Sequence, residues 1–171
     1  MGDRRRSQPS KDVQVAVFRR DHWLCRWCKK PVVFAPAMKY LQRELENSGY
    51  SNLAYWRLAY TRRDAPLLDE LSAVVDHFEA FATGGLDSIE NFVTACNRCN
   101  MRKSTSDPAK WEREHPIKPI KGRYGEPENW DGLSTVFVFF AERDPAMLAA
   151  SEKQWLQALK RPSSQAQAAI V

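Results

Sequence analysis

VVDHFEAFATGGLDSIENFVTACNRCNMRK, residues 74–103, decides how this chain folds. Residues 71–81 read as β-like, and Val74 and Val75, β-branched and suited to a strand, lead into the pair Asp76-His77. Gly84-Gly85 then supplies a tight turn. Asp87 or Ser88 is placed to cap a short helix through Asn91 and Val93. Cys96 and Cys99 form a Cys-x-x-Cys with Asn100 directly behind it, and a second helix beyond Asn100 carries Arg102 and Lys103.

Upstream lies a second Cys-x-x-Cys, Cys25-Arg26-Trp27-Cys28, and these two pairs hold all four cysteines of the chain. Two such pairs can close a tetrahedral Zn²⁺ site, because each presents two thiolates from one turn. The gap from Cys28 to Cys96 exceeds the about 15–20 residues of a simple zinc ribbon, so spacing alone leaves zinc open. A closed Cys₄ site has no free position for chemistry. Any reacting group must therefore lie elsewhere, and Asp76 and His77 are the candidates. Consecutive residues on a strand point to opposite sides, so the two could face a metal on one side and a water on the other.

The chain has 171 residues, enough for one domain with extensions and a real core. Its 26 Lys+Arg against 21 Asp+Glu give a net charge of +5. The excess is uneven. Residues 1–30 carry nine basic side chains, among them Arg19 and Arg20, against three acidic ones. That field favours a polyanion, although a solvated face would look the same. The N-terminus is charged, with no apolar run of signal-peptide or membrane-span length behind it. A soluble cytoplasmic protein is expected, where paired cysteines favour metal over disulfides.

Residues 1–11 read as a disordered basic arm, and residues 12–21 as a short helix delivering His22, a loop or packing residue, to the first cysteine pair. Residues 36–64 read as two helical pieces broken at Asn47-Ser48-Gly49; Tyr55, Trp56 and Tyr60 with Arg57, Arg62 and Arg63 serve either as core with a wet face or as a nucleic-acid clamp. Asp107-Pro108 starts a helix that Pro116 stops. Residues 117–130 are loop, and residues 131–143 are an apolar helix or strand, VFVFF being ambiguous. Ser151-Glu152-Lys153-Gln154 forms a capping box for a last helix, and the chain beyond Pro162 is a disordered tail.

Val75-Asp76-His77, Gly84-Gly85, Glu90-Asn91, Cys96-x-x-Cys99-Asn100 and Lys103 together resemble the HNH nuclease signature in its zinc-bearing branch. The resemblance implies an α+β, mainly helical chain. In it a Cys₄ zinc knuckle (Cys25, Cys28, Cys96, Cys99) braces a ββα-metal finger, a hairpin from the Asp-His pair and a helix from near Cys99. The match covers roughly residues 19–104. The chain is read as a nuclease domain at residues 12–106, with a helical insert at about 36–70 that departs from compact members, and a helical C-terminal extension at 107–161 that the resemblance does not cover.

By that resemblance His77 is the general base, and Asp76 and Asn100 are ligands of one Mg²⁺ or Mn²⁺. Asn91 holds the loop that carries the base. The third motif residue is Asn100 where many members have His, an HNN variant whose amide oxygen still suits a hard cation. Arg19, Arg20, Arg98, Arg102 and Lys103 are expected at the phosphates of double-stranded DNA, with a homodimer as the route to cutting both strands. Two other readings compete. His77-Phe78-Glu79 with Cys96 and Cys99 imitates the zinc deaminase pattern H-x-E…C-x-x-C, although Ala95 stands where that pattern has proline. A zinc-stapled binding module without activity is the other.

Overall fold

The computed structural model describes residues 8–49, 70–117 and 129–162. Helix α1, Lys11–Arg20, starts where the Ser10 hydroxyl accepts from the Val13 N–H at 3.3 Å, satisfying an orphan donor of the first turn. It buries Val15, Val17 and Phe18, as the helical spacing predicts. His22 is exposed, and both His22 and Trp23 take φ of 54°, the left-handed turn that swings the chain off α1 toward Cys25. Trp23 lands on Phe18, ring centroids 5.1 Å apart. A Cβ on Gly132 would lie 2.3 Å from the Trp23 ring, so only glycine lets the later chain cross there.

Helix α2, Ala35–Asn47, begins with Pro36 in its first turn, where a missing N–H costs nothing. It ends at Ser48 and Gly49, the expected break, with Gly49 at φ 87°. The second helical piece, with Tyr55, Trp56, Arg57, Tyr60, Arg62 and Arg63, lies outside the described residues.

Strands β1, Ala73–His77, and β2, Phe92–Cys96, pair antiparallel, Ala73 opposite Cys96 and His77 opposite Phe92. Helix α3, Asn97–Lys103, follows β2 without a loop. This ββα order is the expected one, with two corrections. The Asp-His pair closes the first strand rather than opening it, and Asn91–Val93 do not sit on a helix capped by Asp87 or Ser88. Val93 is in β2, because residues 92–96 pair with a strand whose side chains the core needs, and tertiary pairing overrides a local cap signal.

Helix α4, Pro108–Glu114, starts as predicted, the Asp107 carboxylate accepting from the Lys110 N–H at 2.8 Å. The ambiguous VFVFF is helical, in α5, Ser134–Arg143. Asp131 explains why: its carboxylate accepts from the backbone N–H groups of Leu133 (3.0 Å) and Thr135 (2.8 Å) and from the Ser134 hydroxyl (3.2 Å), which nucleates a first turn. Helix α6, Ala150–Lys160, starts one residue before Ser151, so the predicted Ser151 to Gln154 box is displaced. Glu152 does the capping instead, its Oε2 accepting from the Ala149 N–H at 2.9 Å.

These later helices close the same core as the N-terminal elements. Phe34 meets Phe137 and Trp155 edge-on, at 5.5 and 5.2 Å. The buried Glu152 accepts from both terminal guanidinium nitrogens of Arg43 at 2.8 Å, tying α2 to α6. Such a two-pronged ion pair is among the stronger tethers a partly buried site can have. No helix among the described residues is long and apolar enough to cross a membrane.

Candidate active site

The two Cys-x-x-Cys turns meet. The sulfurs of Cys25, Cys28, Cys96 and Cys99 all lie within 4.8 Å of one another, Cys28 and Cys96 at 3.9 Å. No pair is close enough for a disulfide, and all four are free thiols. A zinc tetrahedron with arms of about 2.3 Å has edges of about 3.8 Å, so the donor set fits such an ion in both chemistry and size. The turn geometry is built for it: Lys29 sits at φ 58°, Lys29 N–H donates to the Cys25 carbonyl at 2.8 Å, and the Cys99 N–H points at the Cys96 sulfur at 3.4 Å. Hydrogen bonding with Cys25 is the largest influence on the other three: it pushes Cys28 far down and Cys96 and Cys99 far up, so the four thiols do not ionise alike. Crowded sulfurs without a cation can keep few negative charges, and a dication would remove that conflict.

His77 does not belong to this group. Among the described residues the cluster is four cysteines and nothing else, so the deaminase ligand set of His77 with Cys96 and Cys99 is not assembled. Cys25 and Cys28 fill the places it would have needed open.

Asp76, His77 and Asn100 instead line one cleft of about 300 Å³, with Ala80, Phe81, Met101, Ser104 and Thr105. Strand alternation survives in their surroundings. Asp76, 6% exposed, turns toward the knuckle, where its Oδ2 accepts from the Trp27 indole N–H at 2.9 Å and lies 3.6 Å from the Lys103 ammonium. Burial raises its carboxyl above the ordinary range, against the pull of Lys103 and Trp27. His77, 3% exposed, turns the other way, between Phe92 (5.0 Å, edge-on) and Phe81 (5.9 Å). Its Nε2 lies 2.9 Å from an Asp87 oxygen. Asn100 is half-buried, and its carboxamide makes no hydrogen bond to another described residue.

The loop between the strands is held from within. Asn91 accepts from the Glu79 N–H at 2.9 Å and donates to the carbonyls of Glu79 (2.9 Å) and Leu86 (2.8 Å). Its side chain thus closes the loop that starts one residue beyond His77, and it lies outside the cleft lining. Gly84 takes φ 105°, and a Cβ on Gly85 would fall 1.9 Å from the Glu79 carbonyl oxygen. The glycine pair therefore does two different jobs, one of backbone turn and one of close approach.

The five expected phosphate contacts divide. Lys103 is corrected outright: it is fully buried, donates to the His77 carbonyl at 3.0 Å and lies 4.9 Å over the Trp27 ring. Arg19 donates to the carbonyls of Leu159 and Arg161, satisfying the orphan C=O groups that end α6. Arg20 binds Asp21 and the carbonyls of Ile89 and Phe92, pinning α1 to the loop. Arg98 pairs with Glu70 at 3.1 Å with both side chains half exposed, a weak tie. Arg102 is exposed on α3 with no partner among the described residues.

Two residues at the site escaped the sequence reading. In sequence Asp87 reads as a helix cap, and Trp27 has no assigned role between its two cysteines. The only available hint for Asp87 was its place in a glycine-led loop returning toward a histidine; for Trp27 it was an aromatic donor inside a metal turn.

Residues 65–106 match the HNH endonuclease family model, and the ββα arrangement and the four-cysteine cluster agree with its zinc-bearing form. No curated protein and no solved structure matches the chain.

Proposed function

We propose that the chain is a metal-dependent endonuclease that hydrolyses DNA phosphodiester bonds at the cleft of Asp76, His77 and Asn100. The observation that carries the reading is that one cleft gathers a buried imidazole, a carboxylate and a carboxamide with no hydrogen-bond partner among the described residues, beside a separate four-thiol cluster. Asp87 as an ionised carboxylate can only accept, so the His77 Nε2 carries the hydrogen and Nδ1 keeps its lone pair. That tautomer takes a proton from an attacking water at Nδ1. Asp76 and Asn100 offer hard oxygen atoms and would hold one Mg²⁺ or Mn²⁺. When bound, that ion supplies charge stabilisation for the phosphate and the leaving oxygen. The four cysteines would hold Zn²⁺ as a structural brace. Arg102 and Arg98, on the helix that also carries Asn100, supply positive charge for the backbone of the substrate.

The test is conversion of supercoiled plasmid by the purified chain at low salt with Mg²⁺, Mn²⁺ or EDTA, and with His77→Ala in parallel. Metal-dependent relaxed or linear DNA that disappears in His77→Ala supports the reading. A chain that keeps its zinc and retards DNA on a gel, yet cuts nothing under either metal, is a zinc-stapled binding module instead.

A further inference from the structure

Trp27 stands inside the Cys25–Cys28 turn, where the zinc chemistry requires no particular side chain. It is 3% exposed, and a buried indole N–H must find an acceptor. Its acceptor here is not a nearby carbonyl of its own turn but Oδ2 of Asp76, at 2.9 Å and 49 residues away in sequence. The ring has little freedom to choose otherwise. It stacks on Phe78 (5.6 Å, interplanar angle 13°) on β1's exit, and the Lys103 ammonium sits 4.9 Å over it. The turn that carries it is fixed at both ends by thiols of the four-cysteine cluster, and in between the Arg26 N–H donates to the Thr94 carbonyl of β2 at 2.8 Å.

A carboxylate that binds a metal through one oxygen needs its other oxygen held, or the ligand rotates out of register. An indole N–H suits this because it only donates and cannot itself ligate the cation. We infer that Trp27 is the positioning residue for Asp76, fixing its carboxylate toward the divalent ion and making the geometry of the hydrolytic cleft depend on the four-cysteine knuckle. The inference rests on the proposed role of Asp76 as a metal ligand.

Trp27→Phe removes the N–H and keeps an aromatic ring against Phe78. Bound zinc, the thermal midpoint, and Mn²⁺ binding read by electron paramagnetic resonance are measured on the full chain. The expected result is one zinc retained with Mn²⁺ affinity lower by about 10–100-fold, the usual cost of losing an outer-shell partner. Mn²⁺ bound as tightly as by the unmutated chain overturns the inference. A second measurement needs no variant: the Trp27 indole N–H resonance, assigned by its contacts to Phe78, should move as Mg²⁺ is added. If Mg²⁺ moves the Asn100 carboxamide signals and leaves the indole unmoved, Trp27 does not hold a ligand. Asp76→Ala separates the layers. Undiminished Mn²⁺ binding in Asp76→Ala removes the underlying reading, whereas loss there with retention in Trp27→Phe removes only the role of Trp27.

Discussion

The His77 Nε2 and an Asp87 carboxylate oxygen lie 2.9 Å apart, bringing the last residue of β1 and a residue of the following loop into one hydrogen bond. The imidazole is enclosed while the carboxylate is partly open, 4% against 23% side-chain exposure, so the aspartate holds the orientation of a ring that lines the cleft. Asp87→Asn keeps the shape and offers an amide that can donate to Nε2, which favours the wrong tautomer. Cleavage by Asp87→Asn should fall about tenfold or more, in the range typical of lost outer-shell partners, with zinc content unchanged. Single-turnover rates on a labelled duplex measure it. Ring-nitrogen shifts of His77 should show the hydrogen leaving Nε2, and an unchanged tautomer with an unchanged rate would remove Asp87 from the site.

Lys103 and Arg102 are neighbours with opposite fates. Lys103 is fully buried against the His77 carbonyl, Asp76 and Trp27, whereas Arg102 points outward from the same helix. Removing one partner from a buried charge pair typically costs about 3–5 kcal/mol. Lys103→Met should therefore lower stability by roughly 3 kcal/mol, read from urea denaturation at neutral pH. Arg102→Ala should leave stability alone and weaken DNA binding, reducing the slope of log K against log salt by about 1. If Arg102→Ala shifts the denaturation midpoint and not the salt slope, its charge serves the fold.

How far these residues were legible from sequence follows the same division. The β-like run into Asp76-His77, the start of α4 and the break at Gly49 are set by local chemistry, and spacing exposes them. The hairpin as a whole comes from the family resemblance, because local cap signals at Asp87 and Ser88 point to a helix where β2 runs. Burial of a cation is not local. Nothing in Asn-Met-Arg-Lys says that Lys103 points inward and Arg102 outward until the hairpin supplies the His77 carbonyl and Asp76. Arg19 likewise looks like a phosphate ligand until α6 ends beside it, 140 residues later. Asp87 resembles a cap because its true partner depends on how Asn91 and Gly85 fold the loop. The family motif located the cleft; the side chains that set its geometry came from long-range packing.

Gly85 tests that loop directly. Its α-hydrogen faces the Glu79 carbonyl oxygen at a distance no methyl group can share, 1.9 Å for a built Cβ. The carbonyl is backbone and is also tied to Asn91, so it cannot move aside without opening the loop. Gly85→Ala should lower the thermal midpoint and reduce cleavage. Gly84→Ala meets nothing within 4 Å but must hold φ 105°, so it should cost about 1 kcal/mol and spare the loop closure. Equal effects of the two would mean the close approach is not what the pair provides.

Cys96 joins the first cysteine turn to the hairpin and to α3. It ends β2, accepts from the Cys99 N–H and meets Cys28 at 3.9 Å, so one sulfur links the first cysteine turn, the sheet and α3. Folding free energy and zinc affinity are the same quantity where the site exists only in the folded chain. Cys96→Ser should release zinc and lower the thermal midpoint, and strong chelation of the unmutated chain should do the same. Zinc release titrated with a colorimetric chelator should run parallel to loss of Mn²⁺ binding, because Asp76 leans on Trp27 inside the turn that zinc would close. A melting temperature unchanged by Cys96→Ser would count against a structural centre, and Mn²⁺ binding that outlasts the zinc would place the hydrolytic cleft on its own footing.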